Sequence, residues 1–146
     1  MRVLNALPSE PTPVQSMRDE LTRLGFEELR TAAAVDAVLG VEQAPTLVFV
    51  NSVCGCAAGA ARPAVALALR SARGRPPRLT TVFAGQDPEA TERARTYFTG
   101  YEPSSPAMAL LVGGRLAWML ERWQIQGRDP RAIAADVSAA LERVCA

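Results

Sequence analysis

The chain contains neither histidine nor lysine, and all 16 of its basic side chains are arginine. Without histidine there is no Ser-His-Asp triad, no Cys-His dyad and no His-containing metal site. Without lysine there is no Schiff-base amine and no phosphate-loop lysine. The side-chain nucleophiles left are cysteine and carboxylate, with hydroxyls a poor third. An excess of either charge is also missing. The 16 basic groups stand against 15 acidic ones, which gives no electrostatic footprint for nucleic acid or for an anionic membrane. No stretch approaches the roughly 20 apolar residues of a membrane helix. The apolar run at the start is short and is broken by Asn5 and Pro8, so it does not read as a secretory leader. The expected location is the cytoplasm. In a reducing compartment a close cysteine pair points to catalysis, redox sensing or metal binding before a permanent cross-link.

What is present suits one domain. The 146 residues are 49% apolar, enough for a sizeable core. Residues 1–13, with Pro8, Pro11 and Pro13, are expected to form a flexible arm. Val14, Met17, Leu21 and Leu24 have helical spacing that Gly25 stops. Phe26–Leu29 suits a short edge strand. Thr31 is placed to cap a helix carrying Val35, Val38 and Leu39 and ending at Gly40. Ala44–Val50 is a short apolar, β-branched run of the kind found in a central strand covered on both faces. It leads straight into Asn51-Ser52-Val53-Cys54-Gly55-Cys56. A helix is expected from Ala57 to Arg70, kinked or restarted at Pro63. A loop over 71–78 and a buried strand over Leu79–Ala84 follow. Asp87-Pro88-Glu89 reads as a cap, a proline at the first helical position and a first-turn acid, opening a helix to about Phe98. Ala107–Val112, Gly113-Gly114 and Arg115–Glu121 form a hairpin pattern with a two-residue turn. Asp129-Pro130 opens a last helix with Ile133, Val137, Leu141 and Val144 on its core face. The order α-β-α-β-α-β-α-β-β-α predicts an α/β domain over residues 1–146, its sheet mainly parallel with an antiparallel hairpin at the edge.

Cys54-Gly55-Cys56 falls where a central strand ends and a helix begins. Open α/β sheets place reactive groups there. The unpaired N–H groups and partial positive charge of the helix start favour a thiolate at Cys54, the attacking species in disulfide exchange. Fully extended, Cys54 and Cys56 would lie about 7 Å apart, so a disulfide needs a turn or helical geometry. Gly55 is expected to remove a Cβ that would obstruct the tight ring. Such a strained, exposed bond suits exchange better than cross-linking. Two other uses of the pair stay open at this point. The cysteines could simply fill space at a strand end. They could also hold zinc or an iron–sulfur cluster, although only Cys145 remains as a third sulfur.

Cys145, one residue from the end, reads first as a partly packed terminal thiol. The alternative is a further exchange partner or an intersubunit disulfide. Arg62, in the helix after the cysteines, is either a solvated or ion-paired arginine or a binder of substrate carboxylates. Trp118 and Trp123 read as core or rim packing rather than substrate platforms. Pro106, after Ser104-Ser105, is on sequence alone an ordinary proline at a strand start.

Asn51 to Gly59, followed by Ala61-Arg62-Pro63-Ala64, resembles the active-site segment of the bacilliredoxins, small proteins of thioredoxin-like fold with a Cys-Gly-Cys motif. Glu102-Pro103-Ser104-Ser105-Pro106, the hairpin Ala107–Glu121 and Ile125-Gln126-Gly127 extend the likeness over most of the chain. The resemblance implies a thioredoxin-like fold: a central mixed sheet, flanking helices, a closing hairpin and a C-terminal helix. It also implies a thiol–disulfide oxidoreductase that removes bacillithiol from mixed disulfides on client proteins. Cys54 would attack and take up bacillithiol, and Cys56 would resolve the adduct. Disulfide isomerase or reductase activity on proteins is the neighbouring implication. Asn51, Ser52 and Gly55 would shape the active-site turn. Pro106 would be a cis-proline beside it, with Ser105, and the dicarboxylate malate group of bacillithiol would give Arg62 or another arginine something to bind. No tightly bound cofactor and no metal are implied; bacillithiol is the thiol co-substrate. One departure stands out. The family pattern commonly carries a histidine after the arginine that follows the hairpin, and in this chain Arg122 is followed by Trp123.

Overall fold

The computed structural model describes residues 12–145. The arm expected over residues 1–13 lies outside them, apart from its last two positions. Helix α1 (Pro13–Thr22) starts on Thr12, whose hydroxyl accepts from the Gln15 N–H at 3.0 Å. Gly25, at φ 100°, turns the chain where a side chain would be strained. Strand β1 is only Glu27–Glu28, and helix α2 is Ala32–Leu39, capped by Thr31 as expected. Strand β2 (Thr46–Asn51) is buried at every position. A π-helical turn (Ala57–Ala61) precedes helix α3 (Arg62–Ser71). Then come β3 (Arg78–Phe83), α4 (Pro88–Arg95), β4 (Ala107–Val112), β5 (Arg115–Leu120) and α5 (Pro130–Cys145). The element order matches the sequence pattern throughout, although α4 ends at Arg95, short of Phe98.

The strand order is β1-β3-β2-β4-β5. β3 runs parallel to both β1 and β2, while β4 runs antiparallel to β2 and to β5. The expectation of a mainly parallel sheet is therefore corrected to an even mix. As expected, the hairpin forms the antiparallel edge of the parallel strands β1, β3 and β2, its first strand pairing directly with β2. Gly113 and Gly114, at φ 60° and 77°, form the turn that joins β4 to β5.

Alternation on β2 divides the core into two. Leu47 and Phe49 join Met108, Leu110 and Leu120 against α1, α3 and α5, with Leu21, Val65, Ile133, Val137 and Leu141 among the contributors. Val48 and Val50 join Val82, Ala109 and Leu111 against α2 and α4. A period of two sends successive side chains to opposite faces, so one apolar run feeds both cores. The hydroxyls of Thr80 and Thr81 on β3 donate to the β2 carbonyls of Leu47 and Phe49 at 3.0 and 2.7 Å. Polar side chains are thus tolerated in a buried strand.

Asp87 corrects a sequence expectation. It stands at the start of α4 but makes no side-chain cap. Its carboxylate instead accepts from buried Arg18 at 2.8 Å, and Arg18 also donates to Glu28 at 2.8 Å and lies over the Phe83 ring at 5.0 Å. This ion cluster ties α1 to the end of β1 and the start of α4, across one end of the sheet.

Candidate active site

β2 delivers the cysteines. After Asn51 the chain leaves the sheet, and Cys54 caps the following helix with its carbonyl, which accepts from the N–H groups of Ala57 and Ala58 at 3.1 and 3.3 Å. The Cys54 N–H donates to the Ser52 hydroxyl at 3.3 Å. Cys54 and Cys56 are free thiols, each half-buried. Burial pushes the Cys54 thiol up. Hydrogen bonds to its sulfur from the Ser52 hydroxyl, the Ala57 and Cys56 N–H groups and the Cys56 thiol outweigh that, and the group lies below the ordinary thiol value. Each of those bonds favours the charged form over the neutral one.

The helix behind the cysteines restarts beside Pro63, as the sequence suggests. Its first turn is π-helical, closed by the Arg62 N–H on the Ala57 carbonyl. Pro63 offers no N–H to Gly59, and its ring needs room on the preceding turn. A wider turn gives that room, and α3 begins at Arg62 with Pro63 in its first turn.

Arg62 is only 2% exposed. Its Nη1 donates to Asn51 Oδ1 at 2.9 Å and to the Ser52 carbonyl at 3.1 Å, and its Nε to Glu20 at 3.1 Å. Asn51 Oδ1 also accepts from the Ser52 N–H at 2.9 Å. Arg62 is therefore the ion-paired arginine that the sequence offered first, with Glu20 as its partner, and not the binder of a substrate carboxylate that the resemblance implies. It is the buried brace of the active-site turn, with Nη1 on Asn51 and Ser52 and Nε on Glu20. Asn51 and Ser52 belong to the turn as expected, through this network. Gly55 lies between the two cysteines, and apart from them a Cβ built there meets nothing within 4 Å.

Across the turn stands the loop before β4. Val50 pairs with Ala107, which sets Pro106 at the sheet end where β2 hands over to the cysteines. The Ser105–Pro106 peptide is cis. Arg122, just beyond β5, binds this loop and reaches the cysteines. Its N–H donates to Ser104 Oγ at 2.7 Å, its Nη1 approaches the Ser105 carbonyl at 3.4 Å, and its Nη2 lies 4.0 Å from Cys56 Sγ. An open groove of about 440 Å³ runs beside it, lined by Pro103, Ser104, Ser105, Glu121, Trp123 and Gln126. Trp123 is 72% exposed, at the rim of the groove rather than in the core; Trp118 is partly buried against the core, as expected. Sequence reasoning missed Arg122 as a site residue. The one signal was its position after the hairpin, and only the fold carries residue 122 to residue 56.

Cys145 is not brought to the pair. Glu142, on its own last turn, accepts from the Arg73 N–H just past the far end of α3 at 3.2 Å. Cys145 packs on the core there, and burial pushes its thiol up. Among the described residues, no three cysteine, aspartate or glutamate side chains converge as a metal-binding group, and no helix is long and apolar enough to cross a membrane.

Comparison with known proteins follows the same lines. A family model described as disulphide isomerase matches residues 10–145. A bacilliredoxin of Symbiobacterium thermophilum is 53% identical over 128 residues, covering 88% of this chain and 90% of the relative. The chain belongs to the bacilliredoxin family. A second bacilliredoxin, from Geobacillus kaustophilus, is 48% identical over 132 residues, covering 90% and 91%. The crystal structure of oxidized thioredoxin O2 from Arabidopsis thaliana superposes with a TM-score of 0.56 at 15% identity, over 85% of this chain and 97% of that one. At that identity it speaks for the fold alone, which is thioredoxin-like. Bacilliredoxin kinship and this fold make the chain a thiol–disulfide oxidoreductase whose clients carry disulfides.

Proposed function

We propose that the chain removes bacillithiol from mixed disulfides on client proteins in the cytoplasm, without a bound cofactor. The observation that carries the reading is Cys54: a half-exposed thiol held below its ordinary value by four hydrogen bonds to sulfur at a helix start, in a member of the bacilliredoxin family. The Cys54 thiolate attacks the bacillithiol sulfur of the mixed disulfide. The bond between client and bacillithiol breaks, the client leaves as its thiolate, and bacillithiol is now bonded to Cys54. The Cys56 thiolate then attacks Cys54 Sγ and expels bacillithiol as its thiolate. Two electrons have passed from the dithiol to the mixed disulfide, and an external thiol must reduce Cys54–Cys56 before the next turnover.

Mass spectrometry of a bacillithiol-capped client tests this. Wild type frees the client; Cys56→Ser accumulates bacillithiol on Cys54; Cys54→Ser frees nothing. A capped client left intact by wild type, with no adduct on either variant, would remove the reading. General isomerisation or reduction of protein disulfides is the second reading, favoured by the disulphide isomerase description of the matching family model. Faster turnover of a scrambled-disulfide protein than of the capped client would put it first.

A further inference from the structure

Two arginines make hydrogen bonds to the cysteine-bearing turn or its sulfur, and they are used in opposite ways. Arg62 is buried, ion-paired to Glu20 and committed to Asn51 and Ser52. Arg122 is exposed, and among the described residues no carboxylate lies within 4.0 Å of it. Its neighbour Glu121 instead turns its carboxylate to the Trp123 indole N–H at 3.0 Å and to the Gln124 N–H. The three contacts of the Arg122 guanidinium, to Gln126, Ser105 and Cys56, are all long, at 3.4, 3.4 and 4.0 Å. A guanidinium carries five N–H donors in a fixed fork, and a carboxylate takes two of them at 2.7–2.9 Å with charge assistance. A carboxylate arriving beside Arg122 therefore gains bonds that the present neighbours do not supply.

Its surroundings fit a small ligand. The groove beside Arg122, at about 440 Å³, is within the range for small-molecule sites, roughly 300–1,000 Å³. Its polar walls come from Ser104, Ser105 and Gln126, and Trp123 stands at its rim. The same guanidinium touches the Cys56 sulfur at one end and the carbonyl before Pro106 at another. A thiol exchanging on Cys54 and Cys56 thus meets Arg122 within a few bonds of its sulfur.

We propose that Arg122 is the specificity residue of the site, binding a carboxylate on the small-thiol half of the mixed disulfide and so selecting carboxylate-bearing thiols over neutral ones. This rests on the reductase reading, but it does not require bacillithiol itself; any compact thiol with a carboxylate near its sulfur meets the same guanidinium.

The test uses the full chain and one reporter protein with a single cysteine, capped either with mercaptosuccinate, a dicarboxylate thiol, or with neutral 2-mercaptoethanol. The readout is the ratio of kcat/KM for the two caps. Wild type is expected to prefer the mercaptosuccinate cap, and Arg122→Gln to lower that preference about tenfold, the size of a charge-assisted hydrogen bond. Arg122→Lys keeps the charge without the fork and should fall between the two. Raising the salt concentration should erode the wild-type preference, because the site is open. An unchanged ratio in Arg122→Gln would overturn the proposal. So would an equal fall on both caps, which would place Arg122 on the cysteine chemistry instead. Wild type that uncaps neither reporter would overturn the reductase reading, and this proposal with it.

Discussion

Helix α3 has a thiol pair at one end and a lone thiol near the other, and the two ends treat sulfur in opposite ways. At its start, Cys54 is surrounded by donors: helix N–H groups, the Ser52 hydroxyl and the Cys56 thiol, with Arg62 bracing the turn underneath. Beyond its end, Cys145 meets apolar neighbours and no donor, and burial alone decides its state. Partial burial is common to both. Hydrogen bonds to sulfur make the difference, because they stabilise the thiolate while a dry environment penalises it. A cysteine becomes reactive through what points at it, and exposure is only a permission.

The largest effect expected from breaking that comparison is on activity. Cys54→Ser should reduce uncapping to the uncatalysed background, while Cys145→Ser should leave the rate within about twofold, since surface and terminal changes remote from a site are usually small. Single-turnover kinetics on a capped client measures both. An inactive but folded Cys145→Ser would mean that the third thiol takes part.

Stability should respond next. Leu141→Ala opens a cavity in the core near Cys145 and should cost about 2–4 kcal/mol in urea unfolding. Arg62→Ala strips the charged donor from Asn51 and Ser52 and should cost about 2–3 kcal/mol. Arg131→Ala, whose ion pair with Asp129 is long and fully exposed to water, should stay within about 0.5 kcal/mol. If Arg62→Ala were as mild as Arg131→Ala, the brace would not be holding the turn.

The pH dependence sharpens the contrast. A thiol lowered in the folded state keeps its thiolate to lower pH, and the native state gains stability above the ordinary thiol value that is lost as pH falls through the lowered one. A thiol raised by burial ionises later than usual. Iodoacetamide labelling read by mass spectrometry should therefore modify Cys54 at pH values where Cys145 is still inert. A shared midpoint would remove the electrostatic account of Cys54. The smallest effect concerns Gly55. With open space around its Cβ position, Gly55→Ala should leave the dithiol form unchanged or up to about 1 kcal/mol more stable, by thermal or urea unfolding. A clear loss would mean that the dithiol form itself requires a glycine between the cysteines.

Period and punctuation carried much of the architecture. Thr31 and Gly40 bound α2, Gly113-Gly114 closes the hairpin, and the apolar run into Asn51 is the central strand. These signals are local, and local signals survive in a sequence. The cysteine pair was legible for the same reason, as was its placement at a strand-to-helix junction. Three things were not. The antiparallel pairing of β4 directly on β2 depends on which strand finds which neighbour, and a strand pattern does not name its partner. Asp87 is a local cap by sequence and a distant ion-pair acceptor in the fold, because Arg18 arrives from 69 positions away and a buried cation outcompetes a terminal N–H for a carboxylate.

The two site arginines show the limit best. By itself the sequence determined that this chain has a close cysteine pair, where it sits, and that no histidine or lysine stands beside it. Arg62 and Arg122 are the same residue type, and nothing local says which is buried under the turn and which faces the groove. Tertiary structure decided that, because burial and partner choice depend on the 42 positions separating Arg62 from Glu20 and the 66 separating Arg122 from Cys56, distances in sequence that only folding closes.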